Sequence, residues 1–408
     1  MSAQATAPGH EAGLILVLNC GSSSLKAALF DPSPSVLAQA REPVWRGQAN
    51  ELHGPGGPAW RESGGAAEVP VPKGAPTPQA ALLAHVHARA LAHLAGRPLR
   101  AAVHRVVHGG GRYVEPVWVD PAVLADLKSY VPLAPLHQPF AVEAIEALQA
   151  AAPDLRQAAC FDTAFHHALP TVEQMLPLPY SAWERGLRRY GFHGLSYEFM
   201  AQVLPEHHGE LARGRTIVAH LGSGASLCAL QELRSQATTM GFSALDGLMM
   251  GTRCGSLDVG AVLYLMETEH LTPAQLSHLL YAESGLLGLS GVSSDPRALL
   301  PQEADNPRVQ AALALYVRRI VREIGALTAV LGGLDLLVFT AGIGEHNAVI
   351  RERVCRDLGF IGVELDPAAN LAHARVISRP SSRTRVAVEL TNEEWVAAQH
   401  VTRLLAAA

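Results

Sequence analysis

Leu14-Ile15-Leu16-Val17-Leu18-Asn19-Cys20-Gly21-Ser22-Ser23-Ser24-Leu25-Lys26-Ala27-Ala28-Leu29-Phe30 decides how this chain is read. The apolar runs from Gly13 to Asn19 and from Leu25 to Phe30 predict two buried strands joined by a tight Gly-Ser tip, a hairpin. Small residues at such a tip let backbone N–H groups approach a bound anion. Ser22 and Ser24 add hydroxyl donors, and Lys26 in the second strand adds a point charge. The spacing is not that of a P-loop and no helix follows, so this is a different class of phosphate cradle. An echo occurs at His220-Leu221-Gly222-Ser223-Gly224-Ala225-Ser226-Leu227, between strands expected at Thr216–Leu221 and Leu227–Leu230. Any β-turn favours Gly and Ser, but the two segments together favour a duplicated half-molecule.

The chain has 408 residues, room for two large domains, and its 49% hydrophobic content supports substantial cores. Lys and Arg number 32 against 37 Asp and Glu, so no overall positive field draws in nucleic acid or anionic lipid and any anion site must be local. The five cysteines are scattered, without a close pair of zinc or redox spacing, which fits a reducing compartment. No basic residue precedes the short apolar run near the N-terminus, and Ile324–Leu334 is too short to span a bilayer. The expectation is a cytoplasmic protein with no nucleic-acid or membrane partner.

Residues Arg41 to Gln79, rich in Pro, Gly and Glu, predict a surface excursion of loops or short edge strands. Helical spacing recurs at Ala80–Leu94, Pro121–Val131, Phe140–Ala151 and Pro307–Leu331, and strands are expected at Leu99–Val107, Gln157–Phe161 and Leu334–Phe339. After the last of these, Gly342-Ile343-Gly344-Glu345 predicts a glycine turn opening a helix that contains Ile350 and Val354. It is either an anion seat at a helix N-terminus or an ordinary strand-to-helix loop. Polar groups also sit in apolar or glycine-rich strings at His104–Gly110, Leu136–Pro139, Phe161–Thr163, Tyr190–Gly194 and Gly251–Gly255. A buried Arg105 or Arg253 requires an anionic partner, either an internal carboxylate or a bound phosphate or carboxylate.

In this order the strings resemble the acetokinase family, within the sugar kinase, heat-shock ATPase and actin superfamily. Asn19–Lys26, Arg189–Gly194 and Gly247–Gly255 match its long signatures, with support from PLAPLHQP, FDTAFH, FTAGIGE and TNEEW. The resemblance covers Leu14 to Gln399. It implies an α/β protein of two duplicated ribonuclease H-like domains of the actin-like ATPase type, each a mixed five-stranded sheet flanked by helices. The implied N-terminal domain is 13–162 plus the returning helix 395–408, and the implied nucleotide-binding and dimerisation domain is 163–394, after a flexible 1–12. A homodimer is implied. So is reversible, Mg²⁺-dependent transfer of the γ-phosphoryl of ATP to acetate, giving acetyl phosphate and ADP. Propionate or butyrate as acceptor is the near alternative, and a non-catalytic nucleotide-dependent sensor the distant one.

Residue by residue, the resemblance implies that Arg105 binds the carboxylate or the incoming phosphoryl group. His193 and Arg253 would stabilise the transition state, with His137 as a further donor. Asp162 matches the family's catalytic aspartate. Acetate is already ionised at neutral pH, so an orienting or magnesium-linked role suits Asp162 better than proton abstraction. Asn19 and Glu393, preferred over Glu394, would hold Mg²⁺, for which Mn²⁺ could substitute. The nucleotide would meet Ser22, Ser24 and Lys26, then His220, Leu221, Gly222, Ser223 and Gly224. It would also meet Asp295, Pro296 and Arg297, and the loop Gly342, Ile343, Gly344, Glu345 and His346. Val107, Leu136 and Phe192 would enclose the acyl group. The chain departs from the family pattern at Gln138, Leu195, Tyr197, Ser223, Ala244 and His346. Ala244 stands where a Pro usually lines the acyl pocket, which opens the question of acyl preference.

Overall fold

The computed structural model describes residues 13–21, 24–33, 37, 41–50, 59–63, 65, 69–70 and 77–407. Ser22 and the segment 1–12 lie outside the described residues. The chain divides into two compact units, one of Met1–Ala164 with Asn392–Ala408 and one of Phe165–Thr391.

In the first unit the hairpin forms as β1 (Leu14–Cys20) and β2 (Ser24–Phe30), with Asn19 opposite Lys26 and the tip closed by Gly21 N donating to Ser24 O at 2.8 Å. The sheet is completed by β3 (Trp45–Asn50), β4 (Ala59–Glu62), β5 (Val69–Pro70), β6 (Leu99–Val106), β7 (Val117–Trp118) and β8 (Gln157–Phe161). Its order is β5-β4-β3-β2-β1-β6-β8-β7. The Pro- and Gly-rich excursion therefore supplies β3 and the antiparallel strands β4 and β5 that extend the sheet beyond it. Helices α1 (Pro78–Ala92) and α3 (Gln138–Ala151), with α2 (Pro121–Ser129) between them in the chain, cover the sheet. Leu14, Leu16 and Leu18 pack with Leu82, Val86 and Leu148, while the alternate residues Ile15 and Val17 are also fully buried. Burial on both faces explains why β1 reads as a continuous apolar run rather than an alternating one.

The second unit holds α4 (Gly194–His208), β9 (Thr216–Leu221), β10 (Ala225–Gln231), β11 (Arg234–Thr238) and α5 (Val259–Glu267). These are followed by α6 (Pro307–Leu331), β12 (Leu336–Thr340), α7 (Ala341–His346), α8 (Ala348–Asp357) and β13 (Arg385–Val388). Its sheet order is β11-β10-β9-β12-β13, antiparallel for the first two pairings and parallel for the last two. The strands β3-β2-β1-β6-β8 of the first unit repeat that pattern pairing for pairing. The duplication suggested by the two glycine-serine tips is thus present in the topology. The first sheet exceeds five strands because β4 and β5 extend one edge and β7 pairs with β8 on the other.

One local expectation is corrected. Gly342–Glu345 is not an open turn before a helix; it is itself helical, within α7, and α8 follows after Asn347. After β13 the chain returns to the first unit as α9 (Glu393–Ala406), which packs against β1 and β6 with Trp395, Val396 and Val401 buried. Asn392 caps it through Trp395 N at 3.0 Å, and the Trp395 indole donates to Leu37 O at 2.7 Å. Among the described residues no helix is long and apolar enough to cross a membrane.

Candidate active site

Four predicted residues of the first unit, Asn19, Arg105, Asp162 and Glu393, gather where β1, β6 and β8 end. Arg105 leaves β6 next to Asp162, which follows β8. Its Nε donates to Asp162 Oδ1 at 2.8 Å and its Nη2 to Oδ2 at 2.6 Å, a two-pronged pairing. Its Nη1 donates to Asn19 Oδ1 at 3.3 Å and lies 3.5 Å from Glu393 Oε2. Burial alone would lower the Arg105 pKa, but the charges of Asp162 and Glu393 and the Asp162 hydrogen bonds overcome it and push the value up. The side chain stays cationic. Both Asp162 oxygens face Arg105, the geometry of a group that orients a guanidinium. Lys26, opposite Asn19 on β2, is exposed.

Glu393 and Glu394 open α9 but differ in setting. Glu393 reaches Arg105, whereas burial raises the Glu394 pKa, against the opposing pull of Lys26 and Arg46. His137 is the cap residue before α3, and Leu136 beside it is 40% exposed. Val107 is half-buried just past the end of β6. Gln138 is structural: it accepts from His108 N at 3.2 Å and donates to His108 O at 3.1 Å, tying α3 to the loop after β6.

In the second unit, His193 adopts the left-handed conformation, φ +60°, immediately before α4. Its ring stacks on that of His220, 4.2 Å between centroids and 17° between planes. Its Nδ1 lies 2.8 Å from Ser226 Oγ. A Cβ placed on Gly224 would lie 3.2 Å from His193 Nε2 and 3.7 Å from Arg253 Nη1. The imidazole and the guanidinium therefore converge on one backbone site, where a side chain on residue 224 would crowd the imidazole. Arg253 Nη1 donates to Ala244 O at 2.9 Å, so the backbone of the residue that departs from the family pattern also aims the arginine.

The remaining predicted residues fall into distinct settings. Glu345 turns inward: its Oε1 accepts from Ala341 N at 2.8 Å and Thr391 N at 3.0 Å, bracing the start of α7. Ala341, at φ +63°, makes the sharp exit from β12. Space for a Cβ is open at Gly342, and His346 is largely exposed. Asp295 pairs with Arg297 at 2.6 Å; that hydrogen-bonded guanidinium, against the opposing effect of burial, lowers the Asp295 carboxyl pKa. Pro296 begins a helical turn, Phe192 is fully buried, and Leu221, Ser223, Gly222 and Ile343 lie in the β9–β10 tip and α7. Sequence reasoning passed over Ser226 and Tyr197 as site residues. Tyr197 stands among the departures from the family pattern, and its place four positions after His193, the span of a helical turn, is the signal that links it to the site.

The acetokinase family model matches residues 14–399. The chain belongs to the acetokinase family. It is 48% identical over 404 residues to the acetate kinase of Rhodopseudomonas palustris strain TIE-1, covering 96% of this chain and 98% of that protein. It is 46% identical over 397 residues to the acetate kinase of Methylocella silvestris, with the same coverage. Among solved structures, the acetate kinase of Porphyromonas gingivalis superposes with a TM-score of 0.82 at 35% identity, covering 97% of this chain and all of that one. A propionate kinase from Francisella tularensis superposes with a TM-score of 0.87 at 31% identity, covering 95% and 98%. As an acetokinase, the protein is a kinase whose phosphoryl acceptor is a carboxyl group, with ATP and ADP as substrates.

Proposed function

We propose that the protein transfers the γ-phosphoryl of ATP to acetate, reversibly, with Arg105, His193 and Arg253 as the groups that touch the reacting atoms. The observation that carries this reading is the approach of His193 Nε2 and Arg253 Nη1 to the space beside Gly224. Acetate, with a carboxyl pKa of roughly 4 to 5, is already a nucleophile at neutral pH. The barrier is repulsion between carboxylate and phosphate, and the remedy is positive charge and N–H donors around the moving phosphoryl group. Arg105, fixed by Asp162, holds the carboxylate; Arg253 and His193 meet the equatorial oxygens; His137 adds a donor. Lys26, Ser22, Ser24, the tip His220–Gly224, Asp295–Arg297 and α7 contact the nucleotide. Within that set Glu345 acts by bracing backbone, because its carboxylate is engaged internally.

The donor set fits Mg²⁺. Asn19 Oδ1 and Glu393 Oε2 are hard oxygen donors that both approach Arg105 Nη1, and Mg²⁺ characteristically takes one or two protein oxygens and completes its shell with phosphate and water. Asn19 and Glu393 would hold it, and Mn²⁺ could replace it. When bound, the ion would neutralise charge on the nucleotide phosphates.

A homodimer is supported by α5, which buries none of its residues and exposes Val259 (71%), Leu263 (51%) and Tyr264 (57%). A cytoplasmic location is supported by five cysteines that are all free thiols. Trapping acyl phosphate with hydroxylamine after mixing protein, acetate, ATP and Mg²⁺ tests the reaction: hydroxamate should form, and none forming refutes it.

Propionate is a second acceptor, favoured by the fold shared with a propionate kinase and by the small Ala244 where the family usually has proline. One methylene changes binding by only about 1–3 kcal/mol in an apolar pocket. Turnover on two-, three- and four-carbon acids should fall with length, and a preference for propionate would reassign the main substrate.

A further inference from the structure

Arg351, on α8, is fully buried, and the mechanism proposed above gives it no task. Its Nη1 donates to Gly344 O and to Glu345 O, both at 2.8 Å. Its Nε donates to Asn370 Oδ1 and its Nη2 to Asn370 O, each at 2.8 Å, and Nη2 lies 3.1 Å from His373 Nδ1. A buried guanidinium ordinarily demands a carboxylate or phosphate. Among the described residues no carboxylate pairs with this one. Burial draws its pKa down to about 10, so it is still cationic at neutral pH. What it meets instead is the carbonyl end of α7, where a helix carries partial negative charge and leaves its last oxygens unpaired.

With six residues, α7 is too short to hold a helical shape alone in water. Its opening turn is held by the Glu345 carboxylate, which accepts from Ala341 N, and its closing turn by Arg351. A negative group thus grips the amide end and a positive group the carbonyl end, the polarity that a helix dipole favours. Arg351 is anchored in its turn. Asn370, buried in the short helix Pro367–Leu371, receives Nε and Nη2 and donates through Nδ2 to Ala348 O at 2.8 Å, where α8 begins. One side chain therefore ties α7, α8 and that short helix together, while no atom stands within 4 Å of where a Cβ on Gly342 would be. We propose that Arg351 is a positioning residue for the nucleotide: it fixes the backbone of α7 in the shape that ATP and ADP meet, and Asn370 holds it there. The inference rests on the nucleotide contact proposed above for α7. Without Arg351, Gly344 O and Glu345 O lose their buried donor and α7 loosens. The loss falls on nucleotide affinity, because Arg105, His193 and Arg253 lie on other elements.

The test compares Arg351→Lys, Arg351→Met, Asn370→Ala and Gly342→Phe with the parent enzyme. The measurements are steady-state kinetics, calorimetric titration with ADP and Mg²⁺, thermal melts, and hydrogen exchange of the peptide covering α7. Arg351→Lys keeps the charge but loses the planar fork. It should raise the ADP Kd and the KM for ATP about tenfold, while the KM for acetate moves by less than about twofold and kcat at saturating ATP by less than about threefold. Arg351→Met should weaken nucleotide further, and Asn370→Ala about threefold. The double variant should bind ADP no more weakly than Arg351→Met, since both changes break one connection. Exchange should quicken in α7 while β9 and β12 keep the parent's protection. Where Arg351→Met fails to fold, Arg351→Lys and Asn370→Ala carry the comparison. A lowered melting temperature with unchanged ADP affinity, or KM values for ATP and acetate that rise together, overturns the proposal. Gly342→Phe fills open space on α7 and separates the two ways of failing. If it weakens ADP while the Arg351 and Asn370 variants bind normally, the positioning role alone is refuted. If Gly342→Phe also binds ADP normally, the nucleotide role of α7 fails and takes this proposal with it.

Discussion

Arg105 directs two of its nitrogens to Asp162 and a third to Asn19, whereas Arg253 donates to a main-chain carbonyl and faces Gly224. The first is held by a carboxylate, and a main-chain carbonyl helps to aim the second toward the glycine tip. Arg253→Ala should therefore lower kcat by about 10²–10³-fold, with a melting temperature close to the parent's. Arg253→Lys should recover little, because an ammonium lacks the planar fork. Normal turnover in purified Arg253→Ala would remove the residue from the mechanism. At this scale the sequence was readable for residue type and opaque for partnership. Arg105 in an apolar string announced a need for an anion, and Asp162 met it from 57 positions away. The left-handed turn at His193, and its contact with Ser226 across 33 positions, have no local signature, because both arise when α4 docks beside β10.

Among elements, those with strong end signals were legible. Asn306 caps α6 through Arg308 N and Val309 N, and Gly332 closes it at φ +71°, so periodicity and caps agree on Pro307–Leu331. The segment after β12 misled because glycine suggests a turn, whereas here Glu345 holds the Ala341 amide and lets the backbone coil at once. The edge strands show how a polar excursion is anchored. Glu62 of β4 receives Arg89 Nε at 2.6 Å and Nη2 at 2.9 Å from α1. Those hydrogen bonds first, against burial and with help from Trp60, draw the Glu62 carboxyl down from 4.5 to about 2. A depressed carboxyl pKa adds stability that is complete above pH 4.5 and disappears as pH falls through about 2. Glu62→Gln should cost about 1–2 kcal/mol in denaturant unfolding at pH 7, allowing for screening of the partly exposed Arg89. The deficit should shrink steadily below pH 4. An equal deficit at both ends of that range would contradict the assignment.

For the whole molecule, composition bounded the class, and repeated hairpins pointed to two related halves before any strand pairing was known. The homodimer proposed for α5 makes a direct prediction: Leu263→Glu with Tyr264→Glu should convert a dimer to a monomer by light scattering while each subunit keeps its helical spectrum. A parent protein that is monomeric at micromolar concentration would end that proposal.

The return of α9 to the first unit also bears on how the protein is made. A ribosome releases β1 to β8 early, yet the helix that packs on β1 and β6 and carries Glu393 emerges only after the entire second unit has been synthesised. Domains ordinarily mature in order of synthesis; here the lobe begun first must be finished last. A nascent chain halted before Asn392 should leave the apolar surface of β1 and β6 uncovered, a natural target for chaperones and proteases until α9 has been made.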